Sequence, residues 1–227
     1  MGKQNDSYDE KFADAMAGIG PFLKEKLTEE DFGVMGKATE KLKDKMPDPG
    51  LKVGGAAPDF TLQDATGSEV TLSEELKEGP VVLIFYRGSW CPVCNVHLNA
   101  LMAIVPILES DYGARIIAVT PQMPDVTKKQ LEDHPDLSFK VLHDRDDAVA
   151  KSYNLYFEMD SELNLVYKKL GIDVGASNGD KTVGLPVPAT FVIDKGGSVV
   201  ATQADTDYMT RMKPDEIIAG LEATVEK

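Results

Sequence analysis

Cysteine, histidine and tryptophan are scarce in this chain: 2, 3 and 1 among 227 residues. So few cysteines exclude a disulfide-stapled scaffold. No run of about 18 apolar residues occurs, so no membrane-spanning helix is expected. The opening Met1-Gly2-Lys3-Gln4-Asn5-Asp6 lacks the apolar centre of a secretory signal, and the expected compartment is the cytoplasm. Positive charge is in deficit as well. Lys and Arg number 24 against 38 Asp and Glu, a net charge of −14. A field of that sign repels phosphate backbones and anionic lipid, so neither nucleic acid nor a membrane surface is expected as a partner.

What is present suffices for a core, since 42% of residues are apolar. Length alone argues for about 1.5 domains. Residues 1–7 are polar and expected to be unstructured, and a helical pattern follows from Tyr8 to Met46. Phe12, Ala15, Met16 and Ile19 share a face; Gly18, Gly20 and Pro21 are expected to break the run. Pro47-Asp48-Pro49-Gly50 ends it. This divides the chain into a helical extension, 1–50, and a main domain, 51–227. The apolar face of the extension has two candidate destinations, the main domain or a homodimer interface.

In the main domain, Phe60–Leu62 and Val70–Leu72 alternate around Asp64–Gly67, a hairpin pattern. Ser73 is the expected cap of a short helix at 74–77. Val81–Tyr86 is an unbroken apolar run, suited to a strand buried on both faces. A helix opening at Pro92 follows, with a kink expected at Pro106. Strands at 114–119 and 139–142 alternate with helices at 125–133 and 147–153. Asn154–Val187 holds four glycines and reads as an irregular surface insertion. A hairpin, 190–193 with 198–202, and a helix from Pro214 complete the chain. The pattern implies an α/β fold with a central mixed, mainly parallel sheet flanked by helices.

Both cysteines fall in Trp90-Cys91-Pro92-Val93-Cys94, where the buried strand gives way to a helix N-terminus. A disulfide between them would close almost no loop, so a structural staple is a poor explanation. Redox chemistry fits better. The helix dipole, orphan backbone N–H groups and each thiol's bond to the other should lower a thiol pKa there. One thiolate attacks, the other resolves, and an external dithiol reduces the bridge. Trp90 offers a flat surface beside the sulfur, or is a core residue.

Phe85-Tyr86-Arg87-Gly88-Ser89-Trp90-Cys91-Pro92-Val93-Cys94 resembles the redox motif of the peroxiredoxin-like group, in the alkyl hydroperoxide reductase/thiol-specific antioxidant branch of the thioredoxin fold. Leu51–Gly54 with Ala57–Leu62 resembles the entry hairpin, and Val187–Asp194 the late strand. The resemblance implies a thioredoxin-like fold and thiol-dependent reduction of hydrogen peroxide or alkyl hydroperoxides, with a thioredoxin-type reductant and no cofactor. In the family register Cys94 stands at the peroxidatic cysteine, Cys91 at the motif's Thr and Arg87 at its Pro. Pro188 stands where the family carries a second essential Arg. Pro188 also resembles the cis-proline that faces the Cys-x-x-Cys pair of thioredoxins. The two resemblances leave the attacking sulfur open: Cys94 for peroxide, Cys91, expected to be the more exposed, for disulfide exchange. A thioredoxin-like protein disulfide oxidoreductase and a non-catalytic redox-sensing module are the alternatives.

His97, one turn beyond Cys94, is a candidate modulator of the thiolate, against a plainer role as a hydrogen-bonded helix residue. His134 and His143 read as solvated and structural. Cys91, Cys94 and His97 give only three of the four ligands that a closed zinc site needs, and no metal is expected.

Overall fold

The computed structural model describes residues 2–179 and 183–225. Its centre is the apolar run. β3 (Val81–Phe85) is wholly buried, and strand alternation sends its side chains into two cores. Val82 and Ile84 face one, with both cysteines, Leu98, Leu101 and Ile217. Val81, Leu83 and Phe85 face the other, with Phe60, Leu72, Tyr153 and Phe191.

Around β3 the chain forms β1 (Thr61–Asp64), β2 (Glu69–Thr71), β4 (Arg115–Thr120), β5 (Lys140–His143), β8 (Ala189–Ile193) and β9 (Val199–Ala204). The seven strands lie in the order β2-β1-β5-β4-β3-β8-β9. β3, β4 and β5 are parallel, with Val81 opposite Arg115; β8 runs antiparallel to β3, with Ala189 opposite Phe85. The mixed α/β sheet expected from the sequence is present, but it is not mainly parallel. β3–β4 and β4–β5 are parallel, while β1–β2, β1–β5, β3–β8 and β8–β9 are antiparallel, because hairpins at both ends add antiparallel strands to the parallel centre. At its edge the Asp64 carboxylate accepts the N–H groups of Thr66 and Ser68 and closes the predicted hairpin.

Helices α3 (Leu72–Glu78), α4 (Pro92–Leu101), α5 (Val105–Tyr112), α6 (Pro124–Asp133), α7 (Ala148–Ser152) and α10 (Pro214–Val225) flank this sheet. Two helix ends differ from expectation. Ser73 is not a cap: α3 starts two residues earlier than expected, at Leu72, and the Ser73 N–H donates to Asp59. Pro106 does not kink one helix but sits in the first turn of α5, where a missing N–H costs nothing; α4 and α5 meet at 46°.

The extension forms α1 (Gly2–Lys26) and α2 (Glu29–Lys45). α1 is already helical from Gly2, so residues 2–7 are not the unstructured start expected; Met1 lies outside the described residues. Nor do Gly18, Gly20 and Pro21 break the helix. Proline removes one N–H bond there, while Phe12, Met16 and Ile19 pack on the core beneath. The break falls at Thr28, where a capping box forms: Thr28 Oγ1 accepts the Asp31 N–H, and Asp31 accepts the Thr28 N–H at 2.9 Å. Of the two candidate destinations, the extension packs on its own chain. α1 lies on α4 and α10, and α2 lies on α8 (Ser161–Lys169), where Lys169 bonds the buried Asp31.

The segment read as irregular is also built. β6 (Tyr156–Glu158) pairs with β7 (Gly184–Pro186), and α8 and α9 (Val174–Asn178) lie between them. Asp160 and Asp173 cap the two helices through the N–H groups of Glu162 and Ala176. Among the described residues, no single helix is long and apolar enough to cross a membrane.

The tie between extension and domain is testable. Tyr8 of α1 is buried, and its hydroxyl meets His97 Nδ1 of α4 at 2.7 Å. Tyr8→Phe keeps the ring and removes that bond from a buried imidazole, so unfolding in urea should show a loss of about 1–3 kcal/mol. An unchanged midpoint and slope would contradict this packing.

Candidate active site

β3 ends at Phe85, and Tyr86–Trp90 lead into α4. Gly88 has φ of 147°, and a Cβ there would lie 2.5 Å from Trp90 Nε1, so only glycine fits this bend. The Cys91 N–H returns to Gly88 O at 3.1 Å, and Cys91 becomes the N-cap of α4. Its Sγ accepts the Cys94 N–H at 3.4 Å, with Pro92 in the first helical turn.

Two guanidiniums meet the two sulfurs. Arg87 Nη2 lies 3.2 Å from Cys91 Sγ. Arg211, from the segment before α10, places Nη2 3.6 Å from Cys94 Sγ. Each is held in place. Arg87 Nη1 donates to the Tyr167 hydroxyl at 3.0 Å, and its guanidinium lies 4.6 Å from the Tyr208 ring and 5.4 Å from that of Trp90. Arg211 donates to the carbonyls of Tyr208 and Thr210. Trp90 is half-buried and packs edge-on to Tyr167 at 5.6 Å.

Both thiols are free and enclosed, Cys91 at 0% and Cys94 at 1% exposure. The expectation that Cys91 is the more exposed therefore fails. Both sulfurs share a core with Tyr8, Val93 and Leu98, closed over by Phe12, Met16 and Ile19 of α1. Burial pushes both thiols up. At Cys94 the hydrogen bond from Cys91 and the charges of Arg211 and Arg87 outweigh it, holding Cys94 well below the usual thiol range. At Cys91 burial prevails, reinforced by the bond to Cys94, and it stays protonated despite Arg87. The pair thus holds one proton and one negative charge, titrating as a unit. Of the lowered thiol pKa expected at this helix start, only Cys94 has it.

His97 is buried, and burial followed by Arg211 holds its ring well below the ordinary histidine range, so it is neutral. Its Nδ1 is engaged by Tyr8. Among the described residues, no group of three His, Cys, Asp or Glu is placed to hold a metal.

Pro188 lines a cavity of about 400 Å³ with Arg87, Tyr167, Tyr208 and Met35. The Val187–Pro188 peptide bond is trans, which corrects the expected cis-proline. Its neighbours hold an extended chain here: the Val187 N–H bonds Leu155 O, and Ala189 is in register with Phe85. A second, apolar cavity of about 240 Å³ lies between α1 and the redox loop, bounded by Met16, Ile19, Trp90, Pro92 and Met209. Arg87 borders both cavities, and neither sulfur lines either.

Sequence reading named Arg87, Trp90, Cys91, Pro92 and Cys94, which the fold brings together. It missed Arg211, Tyr167 and Tyr208. Tyr167 lay in the stretch read as irregular, and Arg211 belongs to no motif; only the scarcity of arginine, 4 in the chain, marked it.

The profile of the AhpC/TSA family matches residues 53–202. The chain belongs to the AhpC/TSA family. It is an oxidoreductase of that family, with a thioredoxin-like fold. The thiol-disulfide oxidoreductase ResA of Geobacillus kaustophilus is 30% identical over 161 residues, 71% of this chain and 73% of that protein. By fold, the chain resembles peroxidoxin BcpB from Mycobacterium tuberculosis (TM-score 0.59, 22% identity, 76% of this chain and 97% of that one). It also resembles a peroxiredoxin-like protein from Aquifex aeolicus (TM-score 0.58, 19% identity, 78% and 90%). The family match starts beyond α1 and α2.

The split titration has a thermodynamic signature. Cys94 is depressed in the fold, so its contribution to stability grows as pH rises from its folded pKa to the unfolded thiol value, about 8.5. Cys91 is raised in the fold, so stability falls as pH climbs above that value. Relative to a Cys91→Ser/Cys94→Ser double variant, the reduced protein should be most stable near pH 8.5, by denaturant unfolding across pH. A difference independent of pH would contradict the split.

Proposed function

We propose that the protein reduces peroxides through a Cys91–Cys94 dithiol–disulfide cycle. The observation that carries this reading is a guanidinium at each of two buried sulfurs, 3.2 Å from Cys91 and 3.6 Å from Cys94. Family peroxidases need a cation that holds the thiolate and polarises the O–O bond. Pro188 stands at the expected position, and Arg211 supplies a cation from a different element. Enclosure points the same way: a peroxide of few atoms can pass Arg87 more easily than a protein disulfide.

In this reading the Cys94 thiolate attacks a peroxide oxygen. An S–O bond forms, the O–O bond breaks, and the sulfur is oxidised to a sulfenic acid. The departing oxygen, its charge met by Arg211, takes the Cys91 proton and leaves as an alcohol or water. The Cys91 thiolate then attacks Cys94 sulfur, expelling hydroxide, which takes a proton from solvent. The resulting disulfide is returned to the dithiol by two electrons from a thioredoxin-type dithiol, itself oxidised to a disulfide.

A second reading, exchange with protein disulfides, is favoured by the likeness to ResA. Stopped-flow consumption of peroxide by the reduced protein separates the two. The first reading expects a second-order rate far above free cysteine, abolished in Cys94→Ser. In Cys91→Ser a single turnover should leave a trappable sulfenic acid on Cys94. Arg211→Met should slow the first step about a hundredfold, the usual cost of one preorganised donor to a developing oxyanion. A wild-type rate no faster than free cysteine would exclude peroxide as the substrate.

A further inference from the structure

We propose that Gln122 is a positioning residue for this site: with Asn95 it clamps Ser89, one at its N–H and the other at its carbonyl, and thereby keeps Arg87 on Cys91. The inference rests on the dithiol reading above and goes beyond it to the device that holds the redox loop.

Gln122 follows β4 and is fully buried. Its Oε1 accepts the Ser89 N–H at 2.8 Å. On the other side of the same residue, Asn95 Nδ2 of α4 donates to Ser89 O at 2.5 Å. Gln130 of α6 closes the ring: its Nε2 donates to Asn95 Oδ1 at 3.4 Å, and its Oε1 accepts from Gln122 Nε2 at 2.8 Å. The Tyr86 hydroxyl donates to the same oxygen at 2.9 Å, and Gln122 Nε2 also reaches Thr127 Oγ1 at 2.9 Å. Gln122 is itself fixed to the end of β5, where His143 Nδ1 meets its carbonyl at 2.8 Å.

The clamped residue is the one that needs holding. Gly88, directly before Ser89, has φ open to many values, so the loop lacks stiffness of its own at this point. Arg87 stands on its other side. Freed to turn about Gly88, the loop would no longer fix the guanidinium at Cys91. Gln122, Asn95 and Gln130 are uncharged amides. An ionised carboxylate in place of either glutamine would set a buried negative charge beside Tyr86, whose phenol already feels the charge on Cys94.

The test is the pH dependence of iodoacetamide alkylation of the full-length reduced protein, compared with Gln122→Met, Asn95→Ala and the double variant. The titratable and charged groups around the thiol pair, Arg87, Arg211, Tyr8, Tyr86, His97, Tyr167 and Tyr208, are unaltered in all of them. Each single variant should raise the labelling midpoint by about one pH unit, about tenfold less thiolate below the midpoint. The double variant should add little, because the two residues hold one and the same loop residue, Ser89. Thermal melting shows which variants are folded, and if Gln122→Met is not, Asn95→Ala decides. A depressed wild-type midpoint left unchanged in the folded variants overturns the clamp alone. A wild-type midpoint at the ordinary thiol value overturns the dithiol reading and the clamp with it.

Discussion

A sulfur anion withdrawn from water must find cations and N–H donors, or it takes up a proton. In this protein that requirement is met at Cys94, and much of the surrounding structure serves it. Arg211 and Arg87 supply the charge, Cys91 supplies the hydrogen bond, and the start of α4 supplies aligned peptide dipoles. Arg87 is buried, which is costly for a cation, and Arg211 is half-buried. Tyr167, Tyr208 and Trp90 surround one, and two backbone carbonyls anchor the other. Remove the anion and the buried Arg87 and half-buried Arg211 lose their partner; remove the cations and the pair reverts to two neutral thiols.

The extension belongs to the same device. α1 lies across α4 and completes the core that encloses the sulfurs, with Tyr8 bonded to the helix that bears them. Enclosure lowers the effective dielectric constant and strengthens each charge–sulfur contact. It also restricts what reaches the sulfur. Arg87, shared by two cavities, is both the cation at Cys91 and the wall between that sulfur and the space outside.

What could be read from sequence was local. Val81–Phe85 announced a central strand by composition, and Pro92 announced a helix start directly after Cys91. The spacing of Cys91 and Cys94 therefore carried its chemistry without any knowledge of the fold. Long-range packing decided the rest. Pro21 looks like a breaker until the face formed by Phe12, Met16 and Ile19 is seated on the core. The glycines of 154–187 hid two short helices whose starts were nonetheless marked by Asp160 and Asp173. Arg211 stands 117 residues from the sulfur it meets, and no spacing rule spans such a distance. Exposure of Cys91 was misjudged for the same reason: part of what closes its core comes from the extension, remote in sequence.

The central claim is that the reduced pair carries a single negative charge, on Cys94, at neutral pH. Thiolate absorbance in the ultraviolet, followed against pH in the reduced protein and in the Cys91→Ser/Cys94→Ser variant, measures it directly. The difference should show one thiolate appearing well below the ordinary thiol pKa of about 8.5 and a second only well above it. Two thiolates rising together near that value would contradict the account.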